Sequence, residues 1–282
     1  MGNKKLRVAC YGARGAYTYE AMEKQFGNRE KEVIFCPLFE DVVKAVREGQ
    51  ADYGVVPMEN SSTGGITEVY DLIQHYDCAI VGEQMVKIEH VLLGVPGATL
   101  DDIDTVYSHP QGFAQCREFF MEKRNWKQQP YFSTAQSAEK VAREGKKNQA
   151  AVASRTAGRL YGLQVLKDTI AFNSSNYTRF FIIGPAMEIA DDADKITLVL
   201  SVRHEPGALY HVLGYFFYGG MNMTHLESRP IKGKPFEYFF HIDVMGKLRN
   251  PANAQTLRGI ESMSTYFKIL GNYPSYTHKE ES

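Results

Sequence analysis

The sequence has few of the residues expected in a metal site, a disulfide framework or a membrane anchor. Its four cysteines are far apart and form no C-x-x-C pair: Cys10, Cys36, Cys78 and Cys116. A zinc site or thioredoxin-like motif is therefore not expected, and a reduced, cytoplasmic protein is. No apolar run is long enough to cross a bilayer, and the run that follows Lys5 is too short for a signal peptide.

Excess charge of either sign is also absent. The chain has 32 basic and 33 acidic residues and a formal net charge of −1. This balance lacks the positive surface that nucleic-acid binding requires, so small molecules or protein surfaces are the expected partners. With 282 residues, 44% of them hydrophobic, the chain can form two domains that each bury a core.

Short apolar runs alternate with helical patterns in the first part of the chain. The predicted strands there are Leu6–Tyr11, Val33–Cys36 and Tyr53–Pro57, each followed by a predicted helix. This order indicates parallel βαβ units, with ligand loops at the carboxyl ends of the strands. Longer strands then cross into a second α/β region and return. The pattern predicts two lobes around a cleft in about 1–187, with lobe 1 at about 1–82 and 172–187 and lobe 2 at about 83–171.

Gly184 and Pro185 end the apolar strand, and the acidic segment Asp191–Asp194 follows, which indicates a linker. Beyond it, about 195–275 follow the order βαββαβ, which is the ferredoxin-like arrangement. The expected fold class is therefore α/β, with a two-lobed domain followed by a smaller ferredoxin-like domain.

Three polar loops, widely separated in the sequence, carry amide and hydroxyl side chains with little charge. They are Pro57–Gly65, Ser108–Phe113 and the segment from Asn173 to the strand entry at Phe180. Short uncharged donors suit a small anion held in a cleft, so we predict that the loops are walls of one site. Asn60 and Ser61 are the favoured ligand contacts in the first loop.

Two further features have functional and structural alternatives. Gly12–Thr18 follows the first strand and could cradle an anion with free backbone N–H groups, or it could be a tight turn that needs positive φ at glycine. Its spacing fits neither a dinucleotide fingerprint nor a P-loop. His109 could act as an acid, or it could have a structural role before Pro110.

Together these motifs resemble prephenate dehydratase. The residues that carry the resemblance, in the family's order, are Pro57–Ser61, Ser108–Gln111, Cys116, Tyr161–Leu163 and Asn176–Phe180. The C-terminal part resembles an ACT regulatory domain through Pro206–Leu209 and Glu227–Pro230. The resemblance implies a catalytic region like type II periplasmic binding proteins, followed by a phenylalanine-sensing module. A fused chorismate mutase is not expected, because the first strand begins at Leu6.

The resemblance implies decarboxylative dehydration of prephenate to phenylpyruvate in phenylalanine biosynthesis, without metal or cofactor. Thr178 is similar to the family's catalytic threonine, whose hydroxyl assists the departing hydroxide. The expected substrate-binding residues are Asn60, Ser61, Gln111, Asn176 and Arg179. For Arg179, a structural salt bridge is the alternative to neutralising a substrate carboxylate. Ala16-Tyr17-Thr18 departs from the family's Thr-Phe-Ser, so mainly backbone contacts are expected there.

Phenylalanine is expected to inhibit by binding the ACT module, with its carboxylate near a helix start and its ammonium near strand-end groups. The expected residues are Gly207, Ala208, Leu209, Glu227, Ser228 and Arg229. Such modules usually pair between subunits, so the resemblance implies a homodimer or homotetramer, with no nucleic-acid or membrane partner.

Two rival functions remain open from the sequence. An arogenate dehydratase would run the same elimination on an amino-acid side chain. A non-catalytic, two-lobed carboxylate-binding protein would share the architecture, but it predicts an export signal and gives no reason for the sensor domain.

Overall fold

The computed structural model describes residues 5–27, 29–172 and 175–276. Strands and helices are numbered along the chain. Asn173 and Ser174, predicted to belong to the third polar loop, lie outside the described residues.

Lobe 1 is built on a six-stranded sheet with the order β2-β1-β3-β11-β5, in which β4 pairs with β3. Its strands are β1 (Leu6–Tyr11), β2 (Lys31–Cys36), β3 (Tyr53–Asn60), β4 (Gly64–Gly65), β5 (Ala79–Lys87) and β11 (Tyr177–Gly184), and its helices are α1 (Tyr17–Phe26), α2 (Phe39–Arg47) and α3 (Thr67–His75). The first three strands run parallel, as their βαβ pattern predicts. β11 returns from the far end of lobe 2 and lies antiparallel between β3 and β5.

Lobe 2 has a five-stranded sheet with the order β10-β6-β9-β7-β8. Its strands are β6 (Val91–Gly94), β7 (Thr105–Ser108), β8 (Lys127–Pro130), β9 (Gln149–Ala153) and β10 (Gln164–Lys167), and its helices are α4 (Pro110–Gln115), α5 (Arg117–Met121), α6 (Thr134–Glu144) and α7 (Arg155–Tyr161). Because β5 pairs with β11 through Lys87, lobe 1 extends beyond its predicted boundary at about residue 82.

The C-terminal domain is an antiparallel sheet with the order β13-β14-β12-β15. Its elements are β12 (Lys195–Ser201), α8 (Ala208–Tyr218), β13 (Met223–Pro230), β14 (Tyr238–Met245), α9 (Pro251–Met263) and β15 (Tyr266–Tyr273). The βαββαβ order agrees with the sequence prediction. Helices α8 and α9 cover one face of this sheet with an apolar core that includes Val212, Phe216 and Ile260.

The other face of the C-terminal sheet packs directly on lobe 1. Val199, Leu270 and Tyr273 belong to the same buried cluster as Phe181 and Ile183 of β11. The two domains therefore share one apolar core.

At Gly271 the backbones of the two domains lie close together. A Cβ atom at this position would lie 2.2 Å from the backbone oxygen of Ile80 in lobe 1, which cannot move out of the way as a flexible side chain could. Gly271→Ala is expected to destabilise the protein by about 1–3 kcal/mol, as overpacked cores do, in a urea unfolding experiment. The matched control is Gly214→Ala in α8, where the nearest atom would be 4.0 Å away and alanine is the better helix former. Equal stability of Gly271→Ala and wild type would contradict this close contact.

Among the described residues, no helix has the length and apolar character needed to cross a membrane.

Candidate active site

A cleft of about 330 Å³ lies between the lobes. Of the residues predicted from the sequence to be at the site, Thr178 and Asn60 line it from lobe 1 and Gln111 lines it from lobe 2. His109 and Gly12 line it as well. All three predicted polar loops thus contribute to the walls of one cleft.

Strand alternation decides what each side chain of β11 faces. Thr178 pairs with Asn60 of β3, and Arg179 pairs with Glu59. The register then shifts so that Phe180 faces Pro57, which leaves Met58 as an extra residue in β3. Because successive side chains of a strand point to opposite faces, Thr178 is directed to the cleft and Arg179 to the opposite side of the sheet.

The side-chain amide of Asn60 has one possible orientation. Its Oδ1 accepts from the backbone N–H groups of Ser62 and Thr63, at 2.9 and 3.1 Å. Its Nδ2 donates to Asn176 Oδ1 at 2.7 Å, to Thr178 Oγ1 at 2.9 Å and to the backbone oxygen of Tyr177 at 3.2 Å. Backbone N–H groups only donate and backbone oxygens only accept, so a flipped amide would oppose both.

The orientation of Asn60 fixes the role of the Thr178 hydroxyl. Thr178 Oγ1 accepts from Asn60, and among the described residues it donates to no acceptor. Its own proton is therefore available to a group in the cleft. A hydroxyl that already accepts a hydrogen bond is a stronger donor, because bonds in a chain polarise one another.

Ser61 and Asn176, predicted to bind substrate, lie behind the wall of the cleft. Ser61 Oγ accepts from the backbone N–H of Tyr177 at 2.9 Å and donates to the backbone oxygen of Ser175 at 3.2 Å. Asn176 is buried and accepts from Asn60. Both residues tie the entry of β11 to the β3 loop, and neither lines the cleft.

Arg179 lies outside the cleft and forms the salt bridge that was the alternative to substrate binding. It is paired with Glu59 at 3.1 Å, with Glu83 at 3.4 Å, and with Asp243 of the C-terminal domain. Burial is the largest single effect and lowers the pKa of the guanidinium, but Asp243, Tyr70, Tyr273 and Glu83 together outweigh it, so the pKa is raised. The imidazole of His225, 3.6 Å away, and the charge of Arg179 lower the pKa of Glu59 to about 2.

His90 and Gln115 line the cleft and were missed by the sequence prediction, and Tyr17, where mainly backbone contacts were expected, lines it as well. His90 Nε2 lies 2.7 Å from Gln115 Oε1, and a proton on Nε2 makes this contact a hydrogen bond. The Tyr17 hydroxyl lies 3.0 Å from His90 Nδ1 and 2.8 Å from the backbone oxygen of Glu89. Gln115 follows Gln111 by four residues on one helix, and this spacing was the available signal.

The cleft is lined by uncharged groups. No described residue that lines it is a lysine, arginine, aspartate or glutamate. The first turn of α1 lies at the cleft through Tyr17 and Thr18, and its N-cap, Ala16, makes no side-chain cap. Unpaired N–H groups and the helix dipole favour an anion at such a helix start.

The glycine turn before α1 has the positive φ values expected of a tight turn, and it lies at the cleft. Gly12, with φ 92°, lines the cleft. Gly15, with φ 83°, packs against Ala157 of lobe 2, whose Cα would be 3.1 Å from an added Cβ. His109 caps α4, since its Nδ1 accepts from the backbone N–H of Gln111 at 3.2 Å.

The predicted effector residues of the C-terminal domain lie at one end of its sheet, where β12 and β13 finish. Ser201 and Arg229 pair with Phe239 from opposite sides, so the ends of β12 and β13 meet there. Gly207, with φ 81°, precedes Ala208 and Leu209 at the start of α8. Glu227 and Arg229 face lobe 1, with Arg229 paired to Asp71 at 2.7 Å, whereas Ser228 is exposed.

The burial of His90 predicts that its pKa lies below the usual value of histidine. Burial lowers the pKa of His90 below its usual 6.5, and the hydrogen bond to Gln115 offsets only part of this effect. Nitrogen NMR of the imidazole should show a proton on Nε2 and a midpoint below 6.5, with His90→Gln used to assign the resonance. Stability linked to this group should decline as the pH falls below 6.5, because the unfolded chain then binds the proton more readily. A midpoint above 6.5 would contradict the assignment.

The chain is similar in sequence to known proteins over most of its length. The family profile described as prephenate dehydratase matches residues 8–188. The chain is 40% identical over 275 residues to the bifunctional chorismate mutase/prephenate dehydratase of Escherichia coli (strain K12), covering 95% of this chain and 71% of the relative. It is 34% identical to arogenate dehydratase/prephenate dehydratase 2, chloroplastic, of Arabidopsis thaliana, covering 96% of this chain and 73% of the relative.

Solved structures show the same fold over nearly the whole chain. A prephenate dehydratase of Arthrobacter aurescens in complex with L-Phe matches with a TM-score of 0.84 and 32% identity, covering 95% of this chain and 90% of that one. GqqA, described as a novel type of quorum quenching acylase, matches with a TM-score of 0.85 and 34% identity, covering 96% of this chain and 98% of that one.

Proposed function

Because the chain belongs to the prephenate dehydratase family, we propose that it converts prephenate to phenylpyruvate, CO₂ and water. The observation that carries this proposal is the hydrogen bond from Asn60 Nδ2 to Thr178 Oγ1 in the interlobe cleft. It leaves an uncharged, polarised hydroxyl with its proton available to a bound molecule.

The reaction needs one proton and no electron acceptor. The ring carboxylate leaves as CO₂, and its bonding electron pair forms the aromatic ring as the C4 hydroxyl departs. At neutral pH the substrate is a dianion and phenylpyruvate is a monoanion, so one proton is taken up to make water from the leaving hydroxide. Thr178 is placed to donate a hydrogen bond to that oxygen. An alcohol is a very weak acid, so it polarises the leaving group or relays a proton from water.

The uncharged lining of the cleft suits this chemistry. A cation clamped on the ring carboxylate would stabilise the substrate more than the transition state, in which that charge is being lost. Amides such as Gln111 and the start of α1 can orient a dianion without that penalty. A confined site also removes water from the reacting carboxylate.

The same lining favours prephenate over arogenate. Arogenate carries an ammonium group, and none of the described residues that line the cleft has a carboxylate to pair with it. The keto group of prephenate needs only a hydrogen-bond donor, which the lining amides and hydroxyls supply.

Geometry gives no comparable support to an amide-hydrolysing function. Among the described residues of the cleft, neither histidine forms a hydrogen bond with a serine or cysteine side chain that could act as a nucleophile. His90 contacts Tyr17 and Gln115, and His109 accepts from the backbone of Gln111.

Replacing the Thr178 hydroxyl with a methyl group tests the proposal. In Thr178→Val, kcat for prephenate is expected to fall by about 10²–10⁴-fold, the usual contribution of a positioned proton donor. Phenylpyruvate formation is the measurement, and Thr178→Ser is the matched control, since it retains the hydroxyl. KM should change much less than kcat.

Parallel assays with arogenate, followed by phenylalanine release, measure the substrate preference. Turnover of Thr178→Val at the wild-type rate would remove Thr178 from the mechanism. Higher kcat/KM for arogenate than for prephenate would replace the substrate assignment.

Phenylalanine is the proposed regulator, and the C-terminal domain is proposed to be an ACT domain that binds it. Support comes from the βαββαβ topology. It also comes from the position of Gly207–Leu209 and Glu227–Arg229, which follow or form the ends of β12 and β13 at the same end of the sheet. The effector carboxylate is proposed to lie at the start of α8, where Gly207 makes no side-chain cap. The effector ammonium would then lie near Ser228, which is exposed on the face of the sheet opposite to Glu227.

Calorimetric titration checks this site directly. Ser228→Ala is expected to weaken phenylalanine binding by about 10- to 150-fold, the loss typical of a hydrogen bond to a charged group. Ser262→Ala, at an exposed position of α9, is the matched control and should bind like wild type. Absence of heat with the wild-type protein would remove the regulatory proposal.

A homodimer or homotetramer in the cytoplasm is the proposed state of the protein. Helix α8 exposes a row of large apolar side chains in the single chain: Tyr210, Phe217 and Tyr218 are 75%, 77% and 87% exposed. Exposed aromatic clusters of this kind mark protein contact surfaces. The four cysteines are all free and buried, as is usual in a reducing compartment.

A further inference from the structure

A buried charge cluster joins the C-terminal domain to the strand that carries Thr178. Asp243 of β14 is fully buried, and its carboxylate accepts from Thr197 Oγ1 at 2.7 Å and pairs with Arg179 of β11. Lys195 of β12 pairs with Glu83 of β5 at 2.5 Å. Buried ion pairs of this kind do not simply add stability, because desolvation opposes the Coulomb attraction.

The cluster includes Arg179, which is the next residue after Thr178 in β11. Arg179 and Glu59 form one cross-strand pair, and Thr178 and Asn60 form the next. The first pair faces the C-terminal domain and the second faces the cleft. The backbone of β11 is common to both, so a displacement of Arg179 on one side of the sheet changes the position of the Thr178 hydroxyl on the other.

The interface contains polar atoms that have no partner in this arrangement. Among the described residues, the Tyr70 hydroxyl, Arg179 Nε, His225 Nε2 and both ring nitrogens of His241 are buried without a hydrogen bond. Tyr70 stacks on His241 at 4.3 Å and on His225 at 5.9 Å between ring centroids. Buried polar groups are normally paired, so a shift of the two domains that pairs these atoms would offset part of its own cost.

We propose that Arg179 is a positioning residue for Thr178, and that Asp243 is the residue through which the C-terminal domain acts on it. Phenylalanine binding at the start of α8 and the end of β13 moves β13 and β14. The Asp243–Arg179 contact transmits this shift to β11, and the Thr178 hydroxyl leaves its productive position. This inference rests on the proposed function, since it concerns the inhibition of prephenate turnover by phenylalanine.

Asp243→Asn tests the coupling, because it keeps the shape of the side chain but removes its charge from Arg179. Without effector, kcat and KM are expected to stay within about threefold of wild type, since Glu59 and Glu83 still hold Arg179. Phenylalanine should still bind in calorimetry. Its inhibition at saturation should fall from the range typical of coupled sites, about 5- to 150-fold, to less than about twofold.

Two further variants make the result specific. Asp77→Asn removes a different interdomain ion pair, with Lys268 at 2.5 Å, that does not contact β11, and it should be inhibited like wild type. Thr197→Val leaves the charge of Asp243 but removes the hydroxyl that orients it. It should weaken inhibition in the same direction and serves if Asp243→Asn does not fold.

The coupling between the two sites can also be measured by binding alone, without turnover. In the inactive Thr178→Val background, prephenate is expected to weaken phenylalanine binding by the same factor by which phenylalanine opposes prephenate. Adding Asp243→Asn should abolish this effect.

The outcomes separate this inference from the proposed function. Wild-type turnover of prephenate with full inhibition of Asp243→Asn would overturn the coupling and leave the function standing. Equal loss of inhibition in Asp77→Asn would overturn the role of Asp243 in particular. Absence of prephenate turnover in the wild type would overturn both.

Discussion

The architecture of this protein depends on the pairing of β11 between β3 and β5. These strands are distant in sequence, and the pairing closes lobe 1 around the returning chain. Strand alternation then gives the two faces of β11 different functions. Thr178 and Phe180 face α1 and the cleft, while Arg179 and Phe181 face the C-terminal domain. A slip of one residue would exchange these faces and remove both the site and the domain contact.

The cleft and the interface between the domains differ in the charged side chains that they contain. The cleft is polar but uncharged among its described residues, and it relies on amides, hydroxyls and helix starts. The interface on the reverse of the same sheet concentrates charge, with Arg179 and Lys195 set among Glu59, Glu83 and Asp243. Keeping cations out of the cleft avoids stabilising a carboxylate that must lose its charge. Placing them behind the sheet lets the charged cluster hold the strand without touching the substrate.

Much of the fold followed from local patterns. Alternation of apolar runs with helical periodicity predicted the parallel part of lobe 1, and the spacing after the linker predicted the βαββαβ domain. Some boundaries were missed where no local signal exists. β11 begins at Tyr177 rather than at Phe180, because its polar entry is paired on both sides by β3 and β5.

The sequence by itself determined the chemical inventory: uncharged donors in three loops, a hydroxyl next to a guanidinium, and a family resemblance that the comparisons support. It predicted that Thr178, Asn60 and Gln111 share a site, since their three loops carry the same uncharged amide and hydroxyl side chains. Only the tertiary structure decided that Ser61, Asn176 and Arg179 lie behind the wall, and that His90 and Gln115 lie in it. The physical reason is that the direction of a side chain depends on strand register and on partners supplied by distant segments. Asp243, 64 residues beyond Arg179, is such a partner.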